Sequence, residues 1–184
     1  TDPRPAALED RDKKYGEFEV VDEDHLMTHL WLFDLASRTP RRLTEGAFTV
    51  GSFEWSPDSR EIAYDHRLNG DPSNSATADV SIVTVADRRL RPLVTTEGPD
   101  SGPRWSPDGR TLAFHSAMGN PEYYSYSNST IATIPAGGGA ITPLSRDFDE
   151  SPSLIAWGPD GLYFAASHRT WAYLYRLDPS TRRV

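Results

Sequence analysis

Apolar and polar residues alternate with a period of two through short runs along most of the chain, and the runs can be laid over one another. Leu30-Trp31-Leu32-Phe33-Asp34-Leu35 matches Val80-Ser81-Ile82-Val83-Thr84-Val85, then Ser129-Thr130-Ile131-Ala132-Thr133-Ile134, then Ala172-Tyr173-Leu174-Tyr175-Arg176-Leu177. A polar turn and a short strand follow, centred on Leu43, Leu93 and Leu144. Next comes a strand that ends in tryptophan: Val50 to Trp55, Pro103 to Trp105, Leu154 to Trp157. A further strand carries Ile62 and Tyr64, Leu112 and Phe114, Leu162 and Phe164. Period-two alternation of this kind predicts half-buried antiparallel strands.

The tryptophan opens a repeated turn. It reads Trp55-Ser56-Pro57-Asp58-Ser59, Trp105-Ser106-Pro107-Asp108-Gly109 and Trp157-Gly158-Pro159-Asp160-Gly161, at spacings of 50 and 52 residues. Leu43, Leu93 and Leu144 repeat independently at 50 and 51. Such a period indicates a radial repeat, the β-propeller. Proline presets φ for the second turn position, Asp bonds its own backbone, and Gly accepts the left-handed conformation; Ser59 in its place implies slight strain. The third copy reaches its next strand two residues sooner, a shortened hairpin. The repeated tryptophan is expected to pack between adjacent blades, as scaffold and not as a catalytic or ligand-stacking group.

The predicted fold is therefore all-β: an incomplete β-propeller of about three and a half four-stranded antiparallel blades. The strands group as an initial pair followed by three sets of four, the last set stopping in mid-strand at Arg182-Arg183-Val184. Residues 1–14, charged and nearly free of large apolar groups, read as a linker or arm. Residues 15–184 read as the partial propeller, entered by a strand-like stretch from Tyr15 to Val21. Open end blades expose unpaired strand edges, so the chain is expected to self-associate or to be marginally stable.

Composition narrows the partners. The net charge is −8, which argues against nucleic acid and anionic membrane surfaces. With no cysteine there is no disulfide framework, thiolate metal site or cysteine nucleophile. No apolar run approaches the length of a spanning helix, and no signal peptide is evident. Because the chain begins at Thr1, it is read as a processed or truncated piece, and a cleaved signal stays open. The expected setting is soluble, in bacterial cytoplasm or periplasm.

The chemistry-bearing residues are sparse in pattern. No Gly-x-Ser-x-Gly elbow is present; Gly98-Pro99-Asp100-Ser101-Gly102 has the wrong spacing. No catalytic residue, cofactor site or metal site is assigned. His25 and His29 straddle the entry to a strand and read as exposed loop histidines. Asp22-Glu23-Asp24 and Asp147-Phe148-Asp149-Glu150 are loop carboxylates, either solvated turns or contacts for a cation or a substrate amino terminus. Two loops, His66 to Asp79 and Ser116 to Asn128, are longer than a hairpin needs. The second holds Tyr123, Tyr124 and Tyr126, which with Asp149 and Glu150 are the candidate ligand or domain contacts. These loops are expected on the face opposite the Pro-Asp turns.

Leu30 to Leu35, then Arg41-Arg42-Leu43-Thr44-Glu45-Gly46, then Trp55-Ser56-Pro57-Asp58-Ser59 leading to Ile62-Ala63-Tyr64, together resemble the repeat of TolB-like propellers. The same repeat forms the amino-terminal propeller of the prolyl oligopeptidase family of serine peptidases, including dipeptidyl- and acylaminoacyl-peptidase types. The entry segment from Phe18 to Trp31 resembles the stretch leading into a blade in bacterial members of that family. The resemblance implies a parent protein with an α/β-hydrolase domain carrying Ser, Asp and His, for which the propeller caps the active site and filters peptides. None of those catalytic residues maps onto this chain. The alternatives are a TolB-like protein-binding propeller without enzymatic activity and, more weakly, a carbohydrate- or cation-binding propeller.

Overall fold

The computed structural model describes residues 6–18, 26–120 and 126–184. Thirteen strands among them form four antiparallel sheets. Sheet I pairs β1 (Trp31–Asp34) with β2 (Thr39–Arg42). Sheet II runs in order β3 (Thr49–Trp55), β4 (Glu61–Arg67), β5 (Asp79–Thr84), β6 (Leu90–Val94). Sheet III repeats it with β7 (Asp100–Trp105), β8 (Thr111–Ser116), β9 (Thr130–Pro135) and β10 (Thr142–Pro143). Sheet IV has β11 (Ser153–Gly158), β12 (Gly161–His168) and β13 (Trp171–Leu177). The sheets do not close on themselves.

Period-two alternation does a double duty, because each central strand is covered on both sides. In sheet II, Ile62, Tyr64 and Val83 face back onto Leu30 and Leu43 of the first sheet region. Ala63, Val80 and Ile82 face forward onto Trp105, Leu112, Phe114, Ala132 and Ile134 of sheet III. Sheet III in turn sends Ala113 and Ile131 forward onto Leu154, Leu162, Phe164 and Leu177 of sheet IV. The core is thus three slabs between consecutive sheets, each filled from two directions.

The tryptophan expectation holds where a preceding inner strand exists. Trp105 is 5% exposed, and its indole N–H donates to the Glu54 carbonyl of sheet II at 3.2 Å. Trp157 packs at the margin of the sheet III–IV slab. Trp55 is 39% exposed, since sheet I contributes only β1 and β2 among the described residues.

The turns repeat atom for atom in two copies. The Ser56 hydroxyl donates to Asp58 at 2.7 Å and accepts from Glu61 N–H at 2.9 Å; the Ser106 hydroxyl donates to Asp108 at 2.6 Å and accepts from Thr111 N–H at 3.0 Å. Ser59 takes φ of 60°, the left-handed value expected to carry strain, where its counterpart is Gly109 at 68°. In the third turn Gly158 has no hydroxyl, and Asp160 instead accepts from the Tyr163 phenol.

Three expectations change. Ala6–Tyr15 is a helix, α1, of good helix formers with Glu9 in its first turn and Lys13 and Lys14 in its last. Tyr15 therefore closes a helix, Gly16 to Phe18 form no strand, and the rest of the expected entry strand lies outside the described residues. The strand expected at Arg182 to Val184 does not form. Asp178 gathers that segment into a tight turn, accepting from Ser180 N–H, Ser180 Oγ and Thr181 N–H, and these bonds hold its carboxyl down at about 2. No described helix is long and apolar enough to cross a membrane.

Candidate functional site

The seams between sheets II, III and IV carry polar contacts at a repeated position. Each inner strand is broken by a β-bulge: β3 between Val50 and Phe53, β7 between Ser101 and Arg104, β11 between Leu154 and Ala156. A bulge frees backbone N–H groups from the ladder, and side chains claim them. Asp65 of β4 accepts from Ser52 N–H at 3.1 Å and from the Ser52 hydroxyl within its own sheet. Its other reach is across the seam, to Gly102 N–H of β7 at 2.9 Å. One sheet later His115 of β8 does the same, its Nε2 accepting from Leu154 N–H of β11 at 2.8 Å.

Asp65 and His115 stand three residues after the equivalent Ile62 and Leu112, so each sheet latches the next from one register position. The third equivalent is Ala165, which has no such group. Glycine makes room for both latches. A Cβ on Gly51 would lie 2.1 Å from Asp65 Oδ1, and one on Gly102, at φ of +65°, would lie 2.8 Å from His115 Nδ1. An accepting Nε2 requires the neutral ring with its proton on Nδ1. Burial, and then the charge of Arg104, push the His115 pKa down and favour that form.

A second polar chain runs through sheet II. His66 Nε2 lies 2.8 Å from the Ser81 hydroxyl, and Ser81 also meets the Tyr64 phenol, which burial pushes up to about 12. This is the closest approach to a nucleophile–base pair among the described residues. It lacks the conditions for acyl transfer: Ser81 is only 4% exposed, and its hydroxyl is flanked by the phenol. The packing of His66 between Phe48 and Tyr64, with ring centroids 5.0 and 5.4 Å away, marks it as part of the fold.

Two cavities of the loop face adjoin the 68–78 loop. One, of about 520 Å³, is lined by Thr28, Thr49, Asp65, Arg67, Ser75 and Ser101 among others. The other, of about 550 Å³, is lined by His66, Arg67, Asp79, Thr96 and Glu97. Both bring the 68–78 loop, with its 3-10 helix Pro72–Thr77, against the connection from sheet II to sheet III, opposite the Pro-Asp turns.

Among the residues singled out from sequence, Tyr123 and Tyr124 lie outside the described residues, as do Asp22, Glu23, Asp24 and His25. Tyr126 is 88% exposed. Asp149 is exposed and Glu150 half-exposed, on the connection into β11. That connection meets the tyrosine loop where the Ser151 hydroxyl donates to Asn128 at 3.1 Å. His29 is not an exposed loop histidine. It is 5% exposed, its Nδ1 is 3.2 Å from the Thr44 hydroxyl, and its ring packs edge-on against Phe48. No group of three or more metal-ligating His, Cys, Asp or Glu forms among the described residues.

No family profile matches the chain. In sequence it is 27% identical over 140 residues to dipeptidyl-peptidase 5 of Porphyromonas gingivalis, covering 73% of this chain and 20% of that protein. It is 34% identical over 97 residues to dipeptidyl-peptidase 5 of Schizosaccharomyces pombe, covering 53% of this chain and 14% of that one. The chain thus spans a fifth or less of the curated relatives it matches. In structure it superposes on oligogalacturonate lyase of Vibrio parahaemolyticus with TM-score 0.66 at 14% identity, over 85% of this chain and 46% of that one. TolB of Acinetobacter baumannii gives 0.59 at 17%, over 84% and 36%. A puromycin-hydrolysing peptidase of Mycobacterium tuberculosis gives 0.60 at 18%, over 82% and 26%.

The fold is that of a β-propeller.

The same fold is seen in TolB, oligogalacturonate lyase and the puromycin-hydrolysing peptidase, and sheets II to IV are successive blades of it. The repeat that marked the blades in sequence carries no trace of the latches, because Asp65 and His115 differ in residue type. The available signal was a polar residue at a register position that otherwise faces the core.

Proposed function

We propose that this chain is the propeller segment of a serine peptidase of the prolyl-oligopeptidase type, capping the active site and admitting peptides by size. The observation that carries the reading is the sequence relatedness to two dipeptidyl-peptidase 5 proteins, from a bacterium and a yeast. The structural likenesses support the fold and are shared with a lyase and with TolB. In this reading the nucleophile, base and acid belong to an α/β-hydrolase domain of the same parent, and the chain contributes walls, not chemistry. The latched seams fit such a role, since a filter must keep its blades together under thermal motion while its loop face meets the partner domain.

A size cut-off in the parent protein tests this. The full-length protein should hydrolyse di- and tripeptide substrates and reject long ones, and loosening a seam with Asp65→Ala should raise the ratio of long-peptide to short-peptide kcat/KM. Absence of peptide hydrolysis by the full-length protein would leave a TolB-like protein-binding propeller as the better account.

A further inference from the structure

One cavity of the loop face gathers hydrogen-bond donors around a single fixed arginine. It is the space of about 520 Å³ lined by the 68–78 loop, the start of β3 and the connection into β7, a size common among small-molecule sites. Arg67 ends β4 on its wall, directly across the ladder from Thr49. The Arg67 Nε donates to the Asn69 carbonyl at 3.1 Å. Asn69 is itself held, because its Oδ1 accepts from Asp71 N–H at 3.0 Å and from Asn74 Nδ2 at 2.8 Å. The guanidinium is therefore fixed by one edge, and its two Nη nitrogens have no partner among the described residues.

The acids nearby are engaged elsewhere or stand apart from it. Asp65 lines the same cavity, but its oxygens accept from Ser52 N–H, the Ser52 hydroxyl and Gly102 N–H. Asp79 and Glu97 share the second cavity with Arg67, and among the described residues neither forms an ion pair with it. Hydroxyls add further donors. Thr49 Oγ1 accepts from Thr28 N–H at 2.9 Å and keeps its own proton to give. The Ser101 hydroxyl, on the same cavity wall, has no partner among the described residues. An oriented guanidinium with hydroxyl donors around the same space is complementary to an anion.

We infer that this cavity binds a small molecule through a carboxylate, held end-on by the two Nη nitrogens of Arg67. End-on pairing suits the fork that remains once Nε is taken, and two parallel N–H···O bonds select a planar carboxylate. The Thr49 and Ser101 hydroxyls supply donors for the rest of the ligand. Carboxylates of two sources fit this chemistry: the terminus of a short peptide and a free small acid. The site does not depend on the parent being a peptidase.

Calorimetric titration of the full-length protein tests this with N-acetylalanine, which mimics a peptide terminus, with succinate, and with the amide of each. At least one acid should bind saturably, and its amide about tenfold or more weakly. Arg67→Gln should remove that preference, lowering affinity for the acid about tenfold or more and leaving the amide unchanged. Its Tm reports whether the fold survives. Ser101→Ala takes away one hydroxyl without touching Arg67, and should weaken the acid about threefold. Tighter binding of N-acetylalanine supports the site with a peptide terminus as its ligand, and tighter binding of succinate supports it with a free acid. No saturable binding of either acid, equal affinity for acid and amide, or an acid affinity unchanged in a folded Arg67→Gln overturns the site. Should Arg67→Gln fail to fold, an affinity unchanged in Ser101→Ala overturns it instead.

Discussion

The seam between sheets II and III and the seam between sheets III and IV have the same backbone and different side chains. In the first, Asp65 takes Gly102 N–H, Glu54 takes Trp105 N–H, and Trp105 is sealed inside. In the second, His115 takes Leu154 N–H, Arg104 donates from Nε to the Ile155 carbonyl at 2.7 Å, and Trp157 stays half-buried. The invariant part is the bulge, which presents an unpaired N–H at a fixed place. The acceptor that meets it is free to vary, so one seam is latched by a carboxylate and the other by a neutral imidazole. Geometry is shared by the seams, but the chemistry of the latch is not.

The largest effect should come from the sealed tryptophan. Trp105→Ala is expected to cost about 3–5 kcal/mol, while Trp55→Ala, at the uncovered copy of the same motif, should cost about 1 kcal/mol. Denaturant unfolding of the two variants checks this; equal losses would mean the motif acts through its turn and not through the seam. Asp65→Ala follows, at about 2–4 kcal/mol, since it strands the N–H groups of Ser52 and Gly102 together. Amide exchange should then quicken at Gly102 and leave Leu154 protected.

The imidazole latch is expected to show in pH dependence. The folded pKa of His115 lies below that of the unfolded chain, so the unfolded state binds the extra proton first. The latch contribution is full above about pH 6.5 and is lost progressively as pH falls towards the folded pKa. His66 shifts the same way through burial, and the raised carboxyls of Glu54, Asp79 and Asp100 act in the opposite sense. The clean readout is therefore the difference in stability between wild type and His115→Gln over pH 7 to 5, which should shrink as the pH drops.

Smallest in stability is Leu174→Ser. Strand register equates Val80 with Ile131 and Leu174, two residues away from the sequence overlay, which sets Val80 against Ser129 and Ala172. Val80 and Ile131 are fully covered by the following sheet, whereas Leu174 is 68% exposed on β13, an edge strand of sheet IV. The substitution should change monomer stability by less than about 0.5 kcal/mol. It should lower self-association by sedimentation, which we propose proceeds through this edge and its neighbour Trp171.

The contrast between the seams also marks where sequence stops being readable. Strand positions, the Trp-Ser-Pro-Asp turns and the alternation that fills three slabs all follow from periodicity, because every blade needs the same apolar positions. Asp65 and His115 have a common position but no common residue type, so a repeat built on identity passes over them. His29 is buried because Phe48 and Thr44 fold over it, contacts that lie fifteen or more residues along the chain. Ala6–Tyr15 turns helical because Ala, Leu, Glu and Lys outweigh the charge that suggested a loose arm.

The most direct test of the functional reading is a fluorophosphonate probe applied to the full-length protein, with the labelled peptide mapped by mass spectrometry. A single labelled serine outside residues 1–184 is the predicted result. No labelling at all, or labelling of a serine within this chain, would contradict the account.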